Sequence, residues 1–425
     1  MNKRTNLSKI NAMKILLIGS GGRESAIAWK LSQSTKVTTI YVTPGNAGTE
    51  NAKKCCNVSL HSINEYLMFA KDNKIDLTIV GPEQPLVEGI VDLFQKNKLN
   101  IFGPNHQAAM LEGSKIFSKN FMQQYGVATA SYNSFTSPFA ASAYIKNAKF
   151  PLVIKANGLA AGKGVEICKN FKEAQNTITK FMIDGAFKEA SKSIVIEEFL
   201  KGTEASIICI TDGKSMIPLV SAQDHKTIFD DNKGPNTGGM GAVAPNPHVT
   251  KEVMKDFVNN IMNPTLLGIK KEKFNFHGFI FFGIMITKDG CKCLEYNVRM
   301  GDPECQSIVP LMDFDLYQLF MDTLKDKLSN FKFKWKKGTA INVVMTSRGY
   351  PGSFNKGNKI SIKGHPLVFV AGAVNKNNEI YTNGGRVLSV VAVESSLKQA
   401  CSKVYKEIDN VHFEGAHYRK DIGLN

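Results

Sequence analysis

Gly278-Phe279-Ile280-Phe281-Phe282-Gly283-Ile284-Met285-Ile286-Thr287-Lys288-Asp289-Gly290-Cys291-Lys292-Cys293-Leu294-Glu295-Tyr296-Asn297-Val298-Arg299-Met300-Gly301-Asp302-Pro303-Glu304 holds the densest chemistry of the chain. Two runs rich in β-formers flank Asp289-Gly290, a strong short-range hairpin signal. Side chains alternate faces along a strand. Glu295, Asn297 and Arg299 are therefore expected on one face, and Leu294, Tyr296 and Val298 on the other. A carboxylate, an amide oxygen and a guanidinium in line are two hard-oxygen metal ligands followed by an anion clamp. That set suits Mg²⁺ (or Mn²⁺) shared with phosphates, because Mg²⁺ takes few protein oxygens and keeps other positions for nucleotide and water. Three alternating polar residues alone more often make a plain solvent face; the acidic turn Gly301-Asp302-Pro303-Glu304 directly after the clamp favours a site. With Asp289-Gly290 as a two-residue turn, apolar Phe282 and Ile284 would oppose the ligands.

Upstream, apolar strands alternate with helical patterns, which indicates an α/β fold with a doubly wound parallel sheet. Strand 14–18 runs into Gly19-Ser20-Gly21-Gly22-Arg23-Glu24 and a helix start, the arrangement of an anion cradle. It is a poor dinucleotide fingerprint, because Glu24 replaces the third glycine and the next strand ends in Thr43-Pro44 where an acidic ribose ligand is expected. Pro44-Gly45-Asn46-Ala47-Gly48, Gly81-Pro82-Glu83 and Gly103-Pro104 fall at strand carboxyl ends, where such sheets bind ligands. Further on, Gly158-Leu159-Ala160-Ala161-Gly162-Lys163-Gly164 joins two strands. It lacks the spacing and the Ser/Thr of a P-loop and reads as a flap whose amides and Lys163 fold over phosphates. A polar group follows at Gln223-Asp224-His225-Lys226 and Gly234–Gly241. His225 taken alone is more often structural than catalytic. Residues 250–271 and 315–328 read as helices, 332–337 as a basic, aromatic linker, and the remainder as β-rich with a helix at 396–408.

The 425 residues suggest two to four domains. No apolar run approaches the roughly 20 residues of a membrane-spanning helix. The first twelve residues are polar and basic without a signal-peptide core. Eight cysteines without a Cys-x-x-Cys pair read as reduced thiols of a cytoplasmic protein. The net charge of +16 is spread over dispersed lysines. That favours a solvated surface attracting anionic small molecules over a nucleic-acid stripe.

Together, Gly-Gly-Arg-Glu (21–24), Pro-Gly-Asn-Ala-Gly (44–48), Gly-Pro-Glu (81–83), Leu-Glu-Gly-Ser-Lys (111–115), the glycine loop 158–164, Gln-Asp-His-Lys (223–226), Gly-Pro-Asn-Thr-Gly-Gly-Met-Gly (234–241) and Arg-Met-Gly-Asp-Pro-Glu (299–304) resemble, in order, the glycinamide ribonucleotide synthetase family of the ATP-grasp superfamily. The resemblance runs from Met13 almost to the C-terminus. It implies a basic tail (1–12), an N-terminal α/β substrate domain (13–112), an ATP-grasp α+β domain (113–330, flap about 126–198) and a small C-terminal β-rich domain (331–425). It also implies ATP-dependent joining of glycine to 5-phosphoribosylamine through a glycyl phosphate. Carried over by position, Glu295 and Asn297 would hold the metal and Arg299 the transferring phosphate. Lys115 and Lys155 would meet ATP phosphates under the flap Gly162-Lys163-Gly164. Glu197, Glu198 and Leu200 would meet adenine, and Glu204 the ribose. Gly21, Gly22, Asn46 and Glu83 would face the sugar phosphate. Asp224, His225, Lys226, Asn236, Thr237, Gly238, Gly239 and Met240 would line the acceptor side, and Asp302 and Glu304 would orient glycine. The family usually has His where this chain has Ser25. Another ATP-grasp ligase or a biotin-dependent carboxylase is the alternative enzyme, although a biotin-acceptor Met-Lys-Met is absent; a polyanion-binding protein is the alternative outside enzymes. A monomer without nucleic-acid or membrane partners is expected, with a dimer as the other option.

Overall fold

The computed structural model describes residues 12–160 and 162–424, so the expected basic tail lies, but for residue 12, outside the described residues. Strands Met13–Gly19, Val37–Pro44, Cys55–Asn57, Leu77–Val80 and Ile101–Pro104 pair in parallel. Ile15, Leu16 and Leu17 are fully buried, the continuous apolar run expected of a parallel strand covered on both faces.

This sheet does not end at Ile101–Pro104. The long strand Phe276–Thr287 docks antiparallel on it, Phe276 opposite Pro104 and His277 opposite Gly103. Along one edge the same strand pairs with Thr203–Thr211, and along the opposite edge, beyond Ile101–Pro104, with Gly290–Asn297. The N-terminal sheet and the chemistry-bearing hairpin are thus one nine-stranded sheet.

The hairpin corrects two expectations. Thr287 pairs with Gly290, so the turn residues are Lys288 and Asp289, and Gly290 takes the left-handed φ of +103° that favours glycine. The register also slips between Gly283 and Ile284, leaving Leu294 as a bulge. Glu295 therefore faces Gly283 in place of Ile284, and Asn297 faces Phe281 in place of Phe282.

Two smaller units complete the molecule. Strands Tyr132–Phe135, Ile194–Glu198, Leu152–Ala156 and Val165–Cys168 form a separate sheet over its own core, which includes Ile154, Phe181 and Ile194. Gln223–Asp224 and Gly241–Ala244 join the sheet of Thr339–Thr346, Arg386–Glu394 and Leu367–Val370. The polar segment 223–244 is therefore hydrogen-bonded into the C-terminal β-rich unit, across the sequence division expected near residue 331. The expected linker is packed down: Phe331, Phe333 and Trp335 meet Phe314 edge-on at ring separations of 5.4–5.5 Å.

Candidate active site

The bulge at Leu294 decides which way the metal-strand side chains point. Without it, a strict two-residue period would put Cys293 and Glu295 on the same face. With it, Cys291, Cys293, Tyr296 and Val298 all enter the core beside Phe282 and Ile284, while Glu295, Asn297 and Arg299 share the outer face as expected. Gly283 leaves room for the carboxylate, since an added Cβ would sit 3.2 Å from Glu295 Cγ. Burial works against ionising Glu295, but Lys226, Lys115, Lys155 and Arg299 outweigh it and hold the carboxyl below the usual range.

Arg299 is held from three sides. Its Nη2 lies 2.7 Å from Glu112 Oε1 and donates to Asn297 Oδ1 at 3.2 Å, and its Nε donates to Glu83 Oε2 at 3.3 Å. Burial pushes Glu112 up to about 7 even though Arg299 pulls it down. Glu83 is also desolvated, yet Arg299 and Arg23 hold it below its ordinary value.

The lysine side is built on strand Leu152–Ala156 and helix Lys115–Gln124. Ser114 caps that helix through Phe117 N–H, and Asn157 accepts from Ser114 Oγ and Ile116 N–H, which pins Lys115 at the start of the glycine loop. Burial lowers the Lys115 pKa, partly opposed by Glu295. Lys155 Nζ donates to the Leu294 carbonyl at 3.2 Å and lies 3.0 Å from Glu197 Oε2. Lys119, which sequence reasoning passed over, reaches the same oxygen at 3.2 Å. Glu197 is buried with Oε1 unpartnered, whereas exposed Glu198 accepts from Ser131 N–H at 2.7 Å. Leu200 is half-buried, and half-exposed Glu204 pairs with Lys226 at 2.7 Å. Lys163 is exposed, Gly162 has φ +74° with open space at its Cβ position, and Gly164 packs on Ala156 and Ala160.

On the N-terminal side two expectations are corrected. The glycine turn is not an open cradle, because Glu24 fills it: its Oε2 accepts from Gly21 N–H at 2.6 Å and its Oε1 takes Arg23 Nε at 2.6 Å. Gly19 and Gly81 crowd this carboxylate so closely that neither tolerates a Cβ, and Gly22 abuts Gln306 in the same way. Asn46 does not face outward. It is 6% exposed, caps a short helix through Gly48 and Thr49 N–H, and donates to the Ser20 and Val370 carbonyls. Ser25, in place of the family's usual His, donates to the same Val370 carbonyl at 2.5 Å. A cavity of about 240 Å³ opens beside the turn, lined by Gly21, Arg23, Glu24, Pro44 and Pro82 among others.

The acceptor loop divides similarly. Thr237 binds the Lys226 carbonyl through both N–H and Oγ1 at 2.7 Å, and the Gly238 carbonyl accepts from Arg386 Nη1 at 2.6 Å. Asn236 is exposed on a short strand pairing with Thr227. Gly239, at φ +112°, presses against Asp224, where a Cβ would come 2.7 Å from Oδ1. Met240 is a further correction: its side chain is fully buried in the C-terminal core, and only its backbone borders the loop. His225 is buried with Nδ1 unpartnered, and burial together with Arg419 lowers it to about 4. Asp302 and Glu304 separate. Asp302 lies 3.2 Å from Arg386 Nη1 and accepts from Gln306 and from Arg23 N–H. Glu304 accepts from Ser206 Oγ at 2.9 Å; burial raises both its carboxyl and that of Asp224, and at Asp224 repulsion from Glu304 adds to the rise.

This arrangement has counterparts among known proteins. Profiles described as phosphoribosylglycinamide synthetase N domain, ATP-grasp (A) domain and C domain match residues 13–112, 113–305 and 340–425. The chain belongs to the phosphoribosylglycinamide synthetase family. A phosphoribosylamine–glycine ligase of Clostridium acetobutylicum is 52% identical over 413 residues, covering 97% of this chain and 99% of that one. The crystal structure of the Thermotoga maritima phosphoribosylamine–glycine ligase aligns with a TM-score of 0.85 at 33% identity, covering 96% of this chain and all of that one. The biotin carboxylase domain of a Hydrogenobacter thermophilus carboxylase shares the fold alone, at a TM-score of 0.72 and 15% identity over 95% of this chain and 91% of that one.

Within this family frame, the donor set suits a divalent cation held partly by nucleotide. Among the described residues no cluster of three or more His, Cys, Asp or Glu side chains could hold a metal unaided. Glu295 and Asn297 supply two hard oxygens on one face, one of them ionised, which leaves most of an octahedron for phosphates and water. Sequence reasoning gave no role to Glu112 and Arg23, although both stand in quoted motifs, nor to Lys119 and Arg386. Lys119 was within reach, four residues after Lys115 and so on the same helix face. Arg386 comes from more than 80 positions away, and nothing local announced it.

Proposed function

We infer that this chain is an ATP-dependent carbon–nitrogen ligase that joins glycine to 5-phosphoribosylamine through a glycyl phosphate. It releases glycinamide ribonucleotide, ADP and phosphate, the second step of purine synthesis. The observation that carries this reading is full-length identity of 52% to a phosphoribosylamine–glycine ligase, supported by a site in which one arginine lies between the metal-side oxygens and the N-terminal substrate loop.

A carboxylate is a poor electrophile, so it must first be activated, and phosphoryl transfer asks the protein for positioning and charge rather than for a nucleophile. Bound at Glu295 and Asn297, Mg²⁺ (or Mn²⁺) would neutralise charge on the nucleotide phosphates. Lys115 and Lys155 flank that face as the phosphate cations, and exposed Lys163 sits in the loop that folds over them. Glu197, Glu198, Leu200 and Glu204 border the nucleotide's base and ribose. Arg299 places its guanidinium where charge develops during transfer. Glu83 and the cavity beside Gly21 receive the sugar phosphate. Glu304 and Asp224, two buried carboxyls that disfavour double ionisation, face the glycine ammonium, with Lys226 and Arg386 as counter-charges. Eight unpaired thiols suit a reducing compartment such as the cytoplasm.

The test is ADP release from purified protein with ATP and Mg²⁺. It should require both glycine and phosphoribosylamine. Release driven by bicarbonate instead would replace this reading with a carboxylase.

A further inference from the structure

Glu112 lies in the last turn of the helix His106–Gly113 and is 7% exposed. A buried carboxylate is costly unless each oxygen finds a donor. Both oxygens do, on the two residues that directly follow the strand Gly290–Asn297: Oε2 accepts from Val298 N–H at 2.7 Å and Oε1 lies 2.7 Å from Arg299 Nη2. One oxygen therefore fixes the backbone and the other fixes the side chain that leaves it. Arg299 would otherwise have several rotatable bonds with which to leave the outer face. The same Nη2 donates to Asn297 Oδ1 at 3.2 Å, so the hold of Glu112 also sets the guanidinium against a proposed metal ligand. The remaining contacts of Arg299 are longer, 3.3 Å to Glu83 and 3.4 Å to the Met300 carbonyl. An ordinary packing residue at this position would be apolar, since much of the surrounding core is.

We propose that Glu112 is a positioning residue for the ligation reaction, orienting the Arg299 guanidinium for phosphoryl transfer by gripping Arg299 and the Val298 amide together. This rests on the functional reading above. The two acidic groups that grip Arg299 are not equivalent. Glu83 comes from the N-terminal loop at the substrate side, whereas Glu112 is bonded to the segment that carries Arg299. Glu112 thus serves the geometry of transfer, whichever substrate occupies the loop.

Glu112→Gln keeps the shape and an acceptor for Val298 N–H but removes the nearer of the two carboxyl partners of Arg299, leaving Glu83 at 3.3 Å. A misplacement of about 1 Å costs on the order of 100-fold in rate, so a partial loosening should lower kcat about thirtyfold. KM for ATP and for glycine should stay within about threefold. The discriminating measurement is the double-mutant cycle with Arg299→Lys. If Glu112 acts through Arg299, adding Glu112→Gln to Arg299→Lys should lower kcat less than about threefold further. Wild-type kcat in Glu112→Gln, or losses that multiply independently in the double variant, would overturn the proposal. Glu112→Asp, one methylene too short to span both donors, serves if the Gln chain does not fold, and it too should lose about tenfold in kcat. Wild-type turnover there, or failure of both variants to fold, assigns Glu112 to stability alone. A wild-type enzyme that forms no ADP with glycine and phosphoribosylamine overturns the functional reading and this inference with it, a result distinct from an active wild type with indifferent Glu112 variants.

Discussion

Replacing Glu197 with Gln removes the carboxylate shared by two buried lysines, Lys119 at 3.2 Å and Lys155 at 3.0 Å. At an effective dielectric of about 20, each pair is worth roughly 5 kcal/mol of Coulomb energy. The loss cannot reach the sum, because a stranded lysine can shed its proton or draw in water. Lys119 is already disposed to do so, since burial lowers its pKa. Breaking a buried pair typically costs about 3–5 kcal/mol. With unfolding entropy near 2.1 cal/mol/K per residue, 425 residues melting together give about 0.9 kcal/mol/K, so the midpoint should fall by about 3–6 °C. Differential scanning calorimetry reads this directly, and KM for ATP should rise as Lys155 loses its anchor. Glu198→Gln is the control: adjacent but exposed, it should shift the midpoint by less than about 1 °C. A Glu197→Gln midpoint indistinguishable from that control would refute the reasoning, because the two lysines would then not depend on Glu197.

Glu295→Ala should lower turnover by about two or more orders of magnitude with little loss of stability, and a titration of rate against Mg²⁺ should show weakened dependence; an unchanged Mg²⁺ curve removes Glu295 from the metal. Asn46→Ala uncaps Gly48 and Thr49 and strips the Ser20 and Val370 carbonyls of a donor. It should cost about 1–3 kcal/mol in urea unfolding while leaving substrate KM values near wild type, and a selective rise in KM would return Asn46 to the substrate site. His225 titrates at about 4 when folded, against about 6.5 when unfolded. The unfolded chain therefore takes up the proton first, so the stability this group supplies is complete above pH 6.5 and is lost as pH falls towards 4, at most about 3 kcal/mol. His225→Gln should flatten that limb of the stability–pH profile, and an unchanged slope would place the acid sensitivity elsewhere.

What the sequence made legible was whatever depends on near neighbours. The alternation from Glu295 to Arg299 correctly put three polar side chains on one face, and Ser396 caps the helix expected after it. What it hid depends on pairing and filling. The bulge at Leu294 exists only against Phe276–Thr287, so the residues opposite Glu295 and Asn297 could not be read from the hairpin alone. The glycine turn looked like an empty anion cradle because a motif shows which amides are free to donate but not which side chain comes to accept. Glu24, three residues on, takes Gly21 N–H itself. The departure at Ser25 had no meaning until Val370, from the C-terminal unit, supplied the carbonyl it binds.

Those long-range partners explain why the turn after the metal strand is so polar. Asp302 meets Arg23 N–H from the N-terminal helix and Arg386 from the C-terminal sheet, and both arginines outweigh burial to keep its carboxyl ionised. Arg386 Nη1 also takes the carbonyls of Asp302 and Gly238, tying the acceptor loop to the same turn. Arg299, three residues earlier, reaches Glu83 and Glu112. All three parts of the chain are thus registered on residues 299–304, within one turn of the proposed metal ligands. The elements proposed to hold the sugar phosphate, the metal and the acceptor meet there by charged hydrogen bonds, whose geometry is directional where apolar packing is not. The separate sheet that carries Lys155, with its own core, takes no part in that turn and is joined to the rest through Lys155 on the Leu294 carbonyl and Glu197 beside Lys119.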